Sequence, residues 1–403
     1  MADFTAHSLI VLGRQPALGL AELESLLAAG SVEPFGGHAI SGLPTERIPF
    51  SRLGGTLKLA RVLDVLPTRK WPDLVAYLGR QLPKHLRHID GRLVLGISAV
   101  GFGIEAKEVQ AAAMSLKKTA RQHNYSVRVV PNAAPMLNSA QVLHNKLTSR
   151  GGWELIAVTD GRVTVLGQTM FVQDIETYAA RDRMRPKRDA RVGMLPPKLA
   201  QIIINLAAGP AGVDRNIVVL DPFCGGGVLL QEAALIGYRA YGSDIDPKMT
   251  EYARLNMEWL SALPAHKRLL SGGQFFKLEV ADATAHRWQP QPDIVASEIY
   301  LGRPFRSVPD SKTLRQLDRQ ISSLLAATLK NLHRQLPDHG RLCLAVPAWQ
   351  RPGGQLTRLS IIDQLKELGY NRLSFQHVKP EDLIYRRPGQ LVARELVVLA
   401  KLT

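Results

Sequence analysis

The stretch Asp221-Pro-Phe-Cys-Gly-Gly-Gly-Val228 specifies the fold of this chain. The apolar run Ile217-Val-Val-Leu220 precedes it, and Leu229-Leu-Gln-Glu-Ala-Ala234 follows it. This order predicts a strand, a glycine-rich turn and a helix, in which the backbone of the turn can approach a nucleoside cofactor closely because no Cβ atoms intervene. The stretch therefore predicts a cofactor site at the end of a strand.

The chain after residue 192 repeats strand and helix in the rhythm of a doubly wound parallel sheet. We predict strands at 217–220, 239–243, 276–280, 293–297, 341–346, 373–378 and 394–400. The last two are expected to pair and to place one antiparallel strand in the sheet. Residues 195–403 are therefore predicted to form a Rossmann-like α/β domain.

Two small α+β modules are predicted before this domain. Residues 1–88 alternate strand-like and helical patterns, and a ferredoxin-like module is expected there. Residues 89–176 predict the order helix, strand, helix, strand, strand, with the last two strands forming a hairpin turned by Asp160-Gly161. Residues 177–194 are predicted to be an extended basic linker.

The charge of the chain predicts an anionic partner. Its 403 residues include 51 Lys and Arg against 35 Asp and Glu, a net charge of +16, which favours nucleic acid over a merely basic soluble protein. The linker holds six bases and two acids between residues 181 and 191, so it either contacts phosphates or is a solvated connector. Its candidate phosphate contacts are Arg181, Arg183, Arg185, Lys187 and Arg188.

Cysteine content and apolar runs bear on the compartment. Cys224 and Cys343 lie far apart and form neither a disulfide framework nor a zinc pattern, as expected in a reducing cytosol. We recognise no signal peptide and no apolar run long enough to cross a bilayer. The sequence therefore predicts a cytoplasmic protein without a metal and without a membrane partner.

Acids follow the predicted strands on both sides of the glycine turn. Asp244 lies 23 residues after Asp221, where dinucleotide-type folds place an acid on the ribose hydroxyls. Asp282 follows the next strand, where it either meets an exocyclic amine of the cofactor or satisfies amides of its own turn. The contiguous glycines depart from Gly-x-Gly-x-x-Gly, and Asp221 in front of them would repel a pyrophosphate but attract an ammonium.

Together, Asp-Pro-Phe-Cys-Gly-Gly-Gly, Gly-Ser-Asp-Ile-Asp-Pro and Ala-Asp-Ala resemble the cofactor-binding series of class I S-adenosylmethionine methyltransferases. Leu12-Gly-Arg-Gln-Pro16, Ala21-Glu-Leu23 and Leu195-Pro-Pro-Lys-Leu-Ala200, with the element order of residues 89–176, are more narrowly similar to THUMP-domain RNA methyltransferases that make N2-methylguanosine in tRNA. The resemblance implies S-adenosyl-L-methionine as cofactor, tRNA or another structured RNA as partner, and a THUMP-like RNA-binding module at 89–176.

The resemblance also implies roles for single residues in the cofactor site. Asp221 would face the methionine amino group, Asp244 the ribose and Asp282 the adenine amine, with the glycines on the backbone side. The implied cofactor-binding residues are Asp221, Phe223, Gly225, Gly227, Asp244, Ile245, Asp282 and Ala283.

The reactive motif of the family is Asp, Asn or Ser, then Pro-Pro, then Tyr or Phe, at the end of the fourth strand. Ser297-Glu-Ile-Tyr300 holds this place, with glutamate and isoleucine instead of the prolines. Methyl transfer to a base amine needs hydrogen-bond acceptors for its N–H groups and an aromatic face for the base. Ser297, Glu298 and Tyr300 are therefore the predicted catalytic residues, and Arg303 and Arg306 are predicted to contact the nucleic acid.

Two other functions stay open at the level of sequence. A DNA amino-methyltransferase would use the same amine chemistry on N6 of adenine or N4 of cytosine. An RNA-binding protein that keeps the cofactor fold without turnover would explain why the two prolines are missing.

Overall fold

The computed structural model describes residues 4–86, 91–188, 194–210, 214, 216–264, 266, 276–303, 305, 307–351 and 354–402. The chain divides into two compact units. The first unit comprises Met1–Pro16, Leu27–Ser51 and Thr56–Thr177, and the second comprises Ala17–Leu26, Arg52–Gly55 and Tyr178–Thr403. No helix among the described residues is long and apolar enough to cross a bilayer.

One mixed sheet of eight strands forms the first unit. Its strands are β1 (Ser8–Leu12), β2 (Val32–Phe35), β3 (His38–Ser41), β4 (Thr56–Leu66), β5 (Leu93–Val100), β6 (Val127–Val129), β7 (Gly152–Thr159) and β8 (Thr164–Val172). They lie in the order β2-β3-β1-β4-β8-β7-β5-β6, in which β5 pairs parallel with β6 and β7 and all other pairs are antiparallel. The helices up to residue 183 are α1 (Pro16–Leu26), α2 (Trp71–Leu86), α3 (Ala106–Gln122), α4 (Ser139–His144) and α5 (Ile175–Arg183).

The strands on both sides of the predicted boundary at residue 88 belong to this one sheet. Strand β4 pairs with β8 from Lys58 beside Val172 to Leu66 beside Thr164. Residue 88 itself lies outside the described residues, but a division there does not separate two sheets. The element order α3, β6, α4, β7, β8 is the one that the sequence predicts for residues 89–176. The ferredoxin-like and THUMP-like characters of the two segments stay predictions.

The second unit is a seven-strand α/β sheet with two short additions. Its elements are α6 (Pro197–Ala208), β9 (Val218–Asp221), α7 (Val228–Ile236), β10 (Arg239–Asp244), α8 (Pro247–Ala262), β11 (Phe276–Val280), β12 (Ile294–Glu298), α9 (Ser311–His333), β13 (Arg341–Gln350), β14 (Leu356–Thr357), β15 (Tyr370–Arg372), β16 (Ile384–Tyr385) and β17 (Val392–Lys401). The strand order is β11-β10-β9-β12-β13-β17-β15, and β14 and β16 pair with β13 and β17. The first five strands are parallel, while β17 runs antiparallel to both neighbours.

The predicted antiparallel strand is confirmed at the C-terminus, but the predicted strand at 373–378 is wrong. The strand that pairs with β17 there is β15, which ends at Arg372, and Leu373 donates the last backbone bond to Val398. Two backbone N–H groups farther along the predicted strand donate to a side chain instead of to the sheet. Gln376 and His377 both donate to the Glu24 carboxylate, at 2.6 and 3.1 Å.

Helix α1 belongs to the second unit because of a buried glutamate. The Glu22 carboxylate accepts the backbone N–H groups of Gly54 (2.9 Å) and Gly55 (2.8 Å) and the side-chain amide of Asn205 (2.7 Å). A Cβ at position 54 would lie 2.0 Å from the Lys198 carbonyl oxygen, so this close approach requires glycine. Burial raises the pKa of Glu22 to about 7, although its hydrogen bonds oppose the rise.

Candidate active site

The site lies where the order of the parallel strands reverses. From β9 the sheet grows through β10 to β11 on one side, and β12 then adds on the other side of β9. Ligands of doubly wound sheets bind outside the carboxyl ends of the strands at such a point. Asp221 ends β9 and Glu298 ends β12, with Ser297 next to it. The structure thus brings the predicted cofactor and catalytic motifs to one edge of the sheet.

The glycine turn has the backbone conformation that the sequence predicts. Gly225 and Gly227 have φ values of +48° and +80°, which other L-residues rarely adopt. A Cβ at position 225 would meet no atom within 4 Å, so the turn presents open backbone there. A Cβ at position 227 would lie 3.1 Å from the Ala253 side chain, so this glycine allows the turn to pack on α8.

Asp221 is a buried carboxyl held by two donors. Its Oδ1 accepts the Ser297 hydroxyl at 2.6 Å and the Phe223 N–H at 3.2 Å. Burial raises the pKa of Asp221 to about 8, and the nearby carboxylates of Asp244 and Glu298 contribute to the rise. Within the described residues, Asp221 has no ion pair with Lys, Arg or His. A cationic group of a ligand would therefore stabilise the ionised carboxylate.

Asp244 is held at the end of β10 by backbone donors. Its Oδ2 accepts Gly225 N–H at 2.9 Å, which ties it to the glycine turn, and its Oδ1 accepts Asp246 N–H at 3.0 Å. Burial raises the pKa of Asp244. Asp246 caps α8 through Lys248 N–H at 2.9 Å, as its position before Pro247 predicts.

Apolar side chains flank these acids and remain exposed. The side chain of Ile245 is 70% exposed and that of Val280 is 55% exposed, each at the carboxyl end of its strand.

Asp282 is exposed, and its Oδ1 accepts both Thr284 N–H (2.8 Å) and the Thr284 hydroxyl (2.7 Å). These two hydrogen bonds lower the pKa of Asp282. Asp282 thus has the local turn role that the sequence left open, and its contact with adenine stays a prediction. Ala283, the last of the implied cofactor residues, is buried behind it.

Ser297 lies inside the protein. Its side chain is fully buried and its hydroxyl donates to Asp221. The hydroxyl therefore positions the Asp221 carboxyl, whereas the motif predicts that it contacts a base amine directly. Ile299 is also buried, whereas Tyr300 is 45% exposed and is accessible to a stacked base.

Glu298 is held by an ion pair that the sequence did not predict. Its carboxylate accepts the Arg394 Nε, and the side chains are 15% and 5% exposed. Burial raises the pKa of Glu298, and Arg394 opposes the rise. The predicted role of Glu298 as a proton or N–H acceptor therefore competes with this ion pair. A signal for Arg394 was present, because Arg394-Glu395 interrupts an otherwise apolar strand.

Two of the predicted nucleic-acid contacts are buried. The linker is not extended at its start, because α5 continues to Arg183. Arg181 forms a buried ion pair with Glu232 at 2.7 Å, and Arg185 is buried with one guanidinium nitrogen 3.3 Å from Asp182. This corrects the prediction for Arg181 and Arg185, because their guanidinium groups are enclosed by protein.

The other predicted nucleic-acid contacts differ in accessibility. Arg183, Arg188 and Arg303 are exposed, and Lys187 is half-buried against the Tyr252 ring, 5.8 Å from its centre. Contact of these four residues with RNA stays a prediction. Arg306 lies outside the described residues.

No group of three or more His, Cys, Asp or Glu side chains suited to a metal is found in the described part of the chain.

Part of the second unit is similar to a known family. Residues 185–262 match the family described as "UPF0020: RMKL-like, methyltransferase domain". The crystal structure of TrmN from Thermus thermophilus shares the fold, with a TM-score of 0.52 and 18% identity over 98% of this chain and 99% of that chain. The residues that match the family lie in the second unit. The predicted Rossmann-like α/β class is thereby confirmed, and we call this unit the methyltransferase domain.

Curated relatives match part of the chain. The tRNA (guanine(10)-N2)-dimethyltransferase of Methanocaldococcus jannaschii is 36% identical over 102 residues, which are 24% of this chain and 28% of that protein. The enzyme of the same name from Methanothermobacter thermautotrophicus is 31% identical over 155 residues, 38% of this chain and 39% of that protein. The matches thus span well under half the length of these relatives.

Proposed function

We propose that this chain transfers a methyl group from S-adenosylmethionine to the N2 amine of a guanine in tRNA. The observation that carries the proposal is the buried carboxyl of Asp221, which has no cationic partner among the described residues. It lies where the strand order of the methyltransferase domain reverses. The names of the partial relatives support guanine N2 and tRNA as the target. The cytoplasm, where tRNA is available, is the proposed compartment.

The residues of the site fit this cofactor. S-adenosylmethionine supplies an electrophilic methyl group on a cationic sulfur. Asp221 would hold its ammonium group, and the remaining lone pairs of Asp244 would accept the ribose hydroxyls. The open backbone at Gly225 leaves room beside the turn, and the exposed Ile245 would cover one face of the adenine ring.

The segment from Ser297 to Tyr300 would position the guanine. Tyr300 offers an exposed ring on which a base taken out of the RNA stack can lie. The Ser297 hydroxyl and the Glu298 carboxylate are engaged by Asp221 and Arg394. We therefore assign the acceptance of the amine N–H groups to backbone carbonyls of this segment, which the ion pair with Arg394 holds in place.

Mass mapping of the methylated nucleoside tests this function. The protein is incubated with labelled S-adenosylmethionine and unmodified tRNA, and the RNA is then digested to nucleosides. We expect labelled N2-methylguanosine or its dimethylated form, and much less label with the Asp221→Asn variant when the cofactor is limiting. Absence of label in the RNA would contradict the proposal. A parallel reaction with duplex DNA tests the alternative, because label in adenine N6 or cytosine N4 would favour a DNA methyltransferase.

A second function is favoured by the same two engaged side chains. If the ion pair between Glu298 and Arg394 closes the base site, the chain binds RNA and cofactor without turnover. Titration of the protein with S-adenosylhomocysteine and with tRNA would then show binding of both, while the nucleoside analysis shows no methylation.

A further inference from the structure

Two hairpins extend the sheet of the methyltransferase domain past the end of β12. The parallel register places Glu298 beside Ala345, and β13 continues for five more residues to Gln350. At about 3.3 Å per residue, this extension reaches roughly 16 Å beyond the end of β12. Strand β17 accompanies it, because Trp349 pairs with Val392. The short strands β14 and β16 complete the two hairpins.

These hairpins adjoin the proposed base site. The Ile299 N–H donates to the Ala345 carbonyl at 3.1 Å, so the chain leaves β12 toward Tyr300 alongside β13. Arg394, which holds Glu298, pairs across β16 and β17 with Tyr385. The residues that follow Tyr385 therefore start on the strand next to β17, which carries Arg394.

The hairpins carry a concentrated positive charge. Residues 349–358 and 384–394 include five arginines and no acid. Arg394 pairs with Glu298, and Arg358 lies 3.5 Å from the buried Glu395. We call the remaining three residues, Arg351, Arg386 and Arg387, the basic ridge. The acids nearest to the ridge in sequence, Glu381 and Asp382, precede β16 and are exposed.

Neutral groups hold the guanidinium groups of the basic ridge. Arg387 Nε donates to the Tyr385 hydroxyl at 2.9 Å, and Arg351 Nε donates to the Thr357 hydroxyl. Arg386 Nη2 donates to the Gln350 side-chain oxygen at 2.6 Å.

The bonds of Arg351 and Arg387 order these two side chains without neutralising them, because both acceptors are hydroxyl groups, and their other N–H groups are then prepared for an anion. Arg351 and Arg387 are exposed and form no ion pair among the described residues.

We propose that the basic ridge binds RNA phosphates next to the nucleotide whose base enters the site. The proposal rests on the proposed function, because it takes RNA as the substrate. A base can leave its stack for Tyr300 only if the flanking backbone is held close to the site, and arginine binds phosphate oxygens through two N–H groups at once. The strands that carry the ridge continue past the end of β12, from which the chain leaves toward Tyr300.

Salt-dependent binding of the full chain to a labelled, unmodified tRNA tests the ridge. The double variant Arg351→Gln/Arg387→Gln removes its two exposed charges. The matched control, Arg239→Gln/Arg334→Gln, removes two exposed arginines at the opposite, amino edge of the same sheet. Fluorescence anisotropy over a range of salt concentrations gives the slope of log affinity against log salt. We expect the ridge variant to lose about 1.5 in slope and on the order of tenfold in affinity, and the control to keep both near the wild-type values.

Equal slopes and affinities for the ridge variant and the control would overturn the proposal. Equal affinity of the wild type for duplex DNA, with the same loss in the ridge variant, would overturn RNA as the partner. Methylation by the wild type is measured separately. If methylation fails but the ridge-dependent slope persists, the proposed function fails and the ridge stands. If methylation succeeds and the slope does not change, the ridge alone is contradicted.

Discussion

The replacement of Asp221 by asparagine is expected to stabilise the protein and to weaken its cofactor binding. An unfolded aspartate loses its proton near its ordinary pKa of 3.8, whereas burial raises the pKa of Asp221 to about 8 in the folded protein. Between these two values the unfolded state binds fewer protons than the folded state, so this residue makes stability fall as pH rises from about 4 to about 8. The stability that it contributes is fully present only below the lower value.

The magnitude follows from the width of that window. At pH 7 the solution is about 3 pH units above the unfolded pKa of 3.8. Keeping the proton in the folded state therefore lowers the free energy of unfolding by about 4 kcal/mol, at about 1.4 kcal/mol per unit. Asparagine has no proton to lose, and its side-chain oxygen keeps an acceptor for Ser297 and Phe223. For a unit of this size, about 4 kcal/mol corresponds to a rise of roughly 10 °C in the melting temperature.

Thermal melting of the protein without cofactor, at about pH 5, 7 and 8.5, measures this gain. The difference between the variant and the wild type should shrink toward acid, where both side chains are neutral. Asp363→Asn, an exposed acid in the same unit, serves as control and should stay within about 0.5 kcal/mol of the wild type. Calorimetric titration with S-adenosylhomocysteine should show roughly 30-fold weaker binding to Asp221→Asn, because an ammonium loses its carboxylate partner.

The reasoning would be refuted if Asp221→Asn melted at or below the wild-type temperature at pH 7. A gain that is the same at all three pH values would also refute it, because a conformational effect without titration would then be sufficient. If the variant were stabilised but bound the cofactor as tightly as the wild type, burial of Asp221 would still be costly. The proposed contact between Asp221 and the cofactor would then be contradicted.

Three further substitutions test single contacts. Ser297→Ala removes a hydrogen bond to a carboxylate and should weaken S-adenosylhomocysteine binding about tenfold in calorimetry, with little change in tRNA affinity. Arg394→Met leaves Glu298 buried without a cation and should cost about 3 kcal/mol in thermal unfolding, and adding Glu298→Gln should recover most of it. Arg181→Met likewise removes the ion-pair partner of the buried Glu232, so it should lower the melting temperature by roughly 10 °C. The salt slope of tRNA binding should not change, and a reduced slope would indicate that Arg181 contacts a phosphate.

Local sequence determined the elements of the cofactor site. The glycines at 225 and 227 have the backbone angles that their turn requires, and Asp244 lies at the end of the second strand. These features depend on neighbours in the chain, because a strand, a turn and a helix are specified by apolar spacing and by residues that tolerate positive φ. The α/β class follows from the repetition of these units.

Tertiary packing, in contrast, selected the polar side chains that remain accessible to a ligand. The motif predicts that Ser297 contacts the base, but its hydroxyl is buried against Asp221, 76 residues earlier in the chain. Arg181 belongs to a basic run, yet its partner Glu232 lies 51 residues away. No local pattern specifies such pairs, because a buried charge is stabilised by whichever partner the fold brings within reach. The order of residues along the chain therefore specified the fold class and the elements of the candidate cofactor site, and the packing of distant segments determined which charged side chains remain accessible to a ligand.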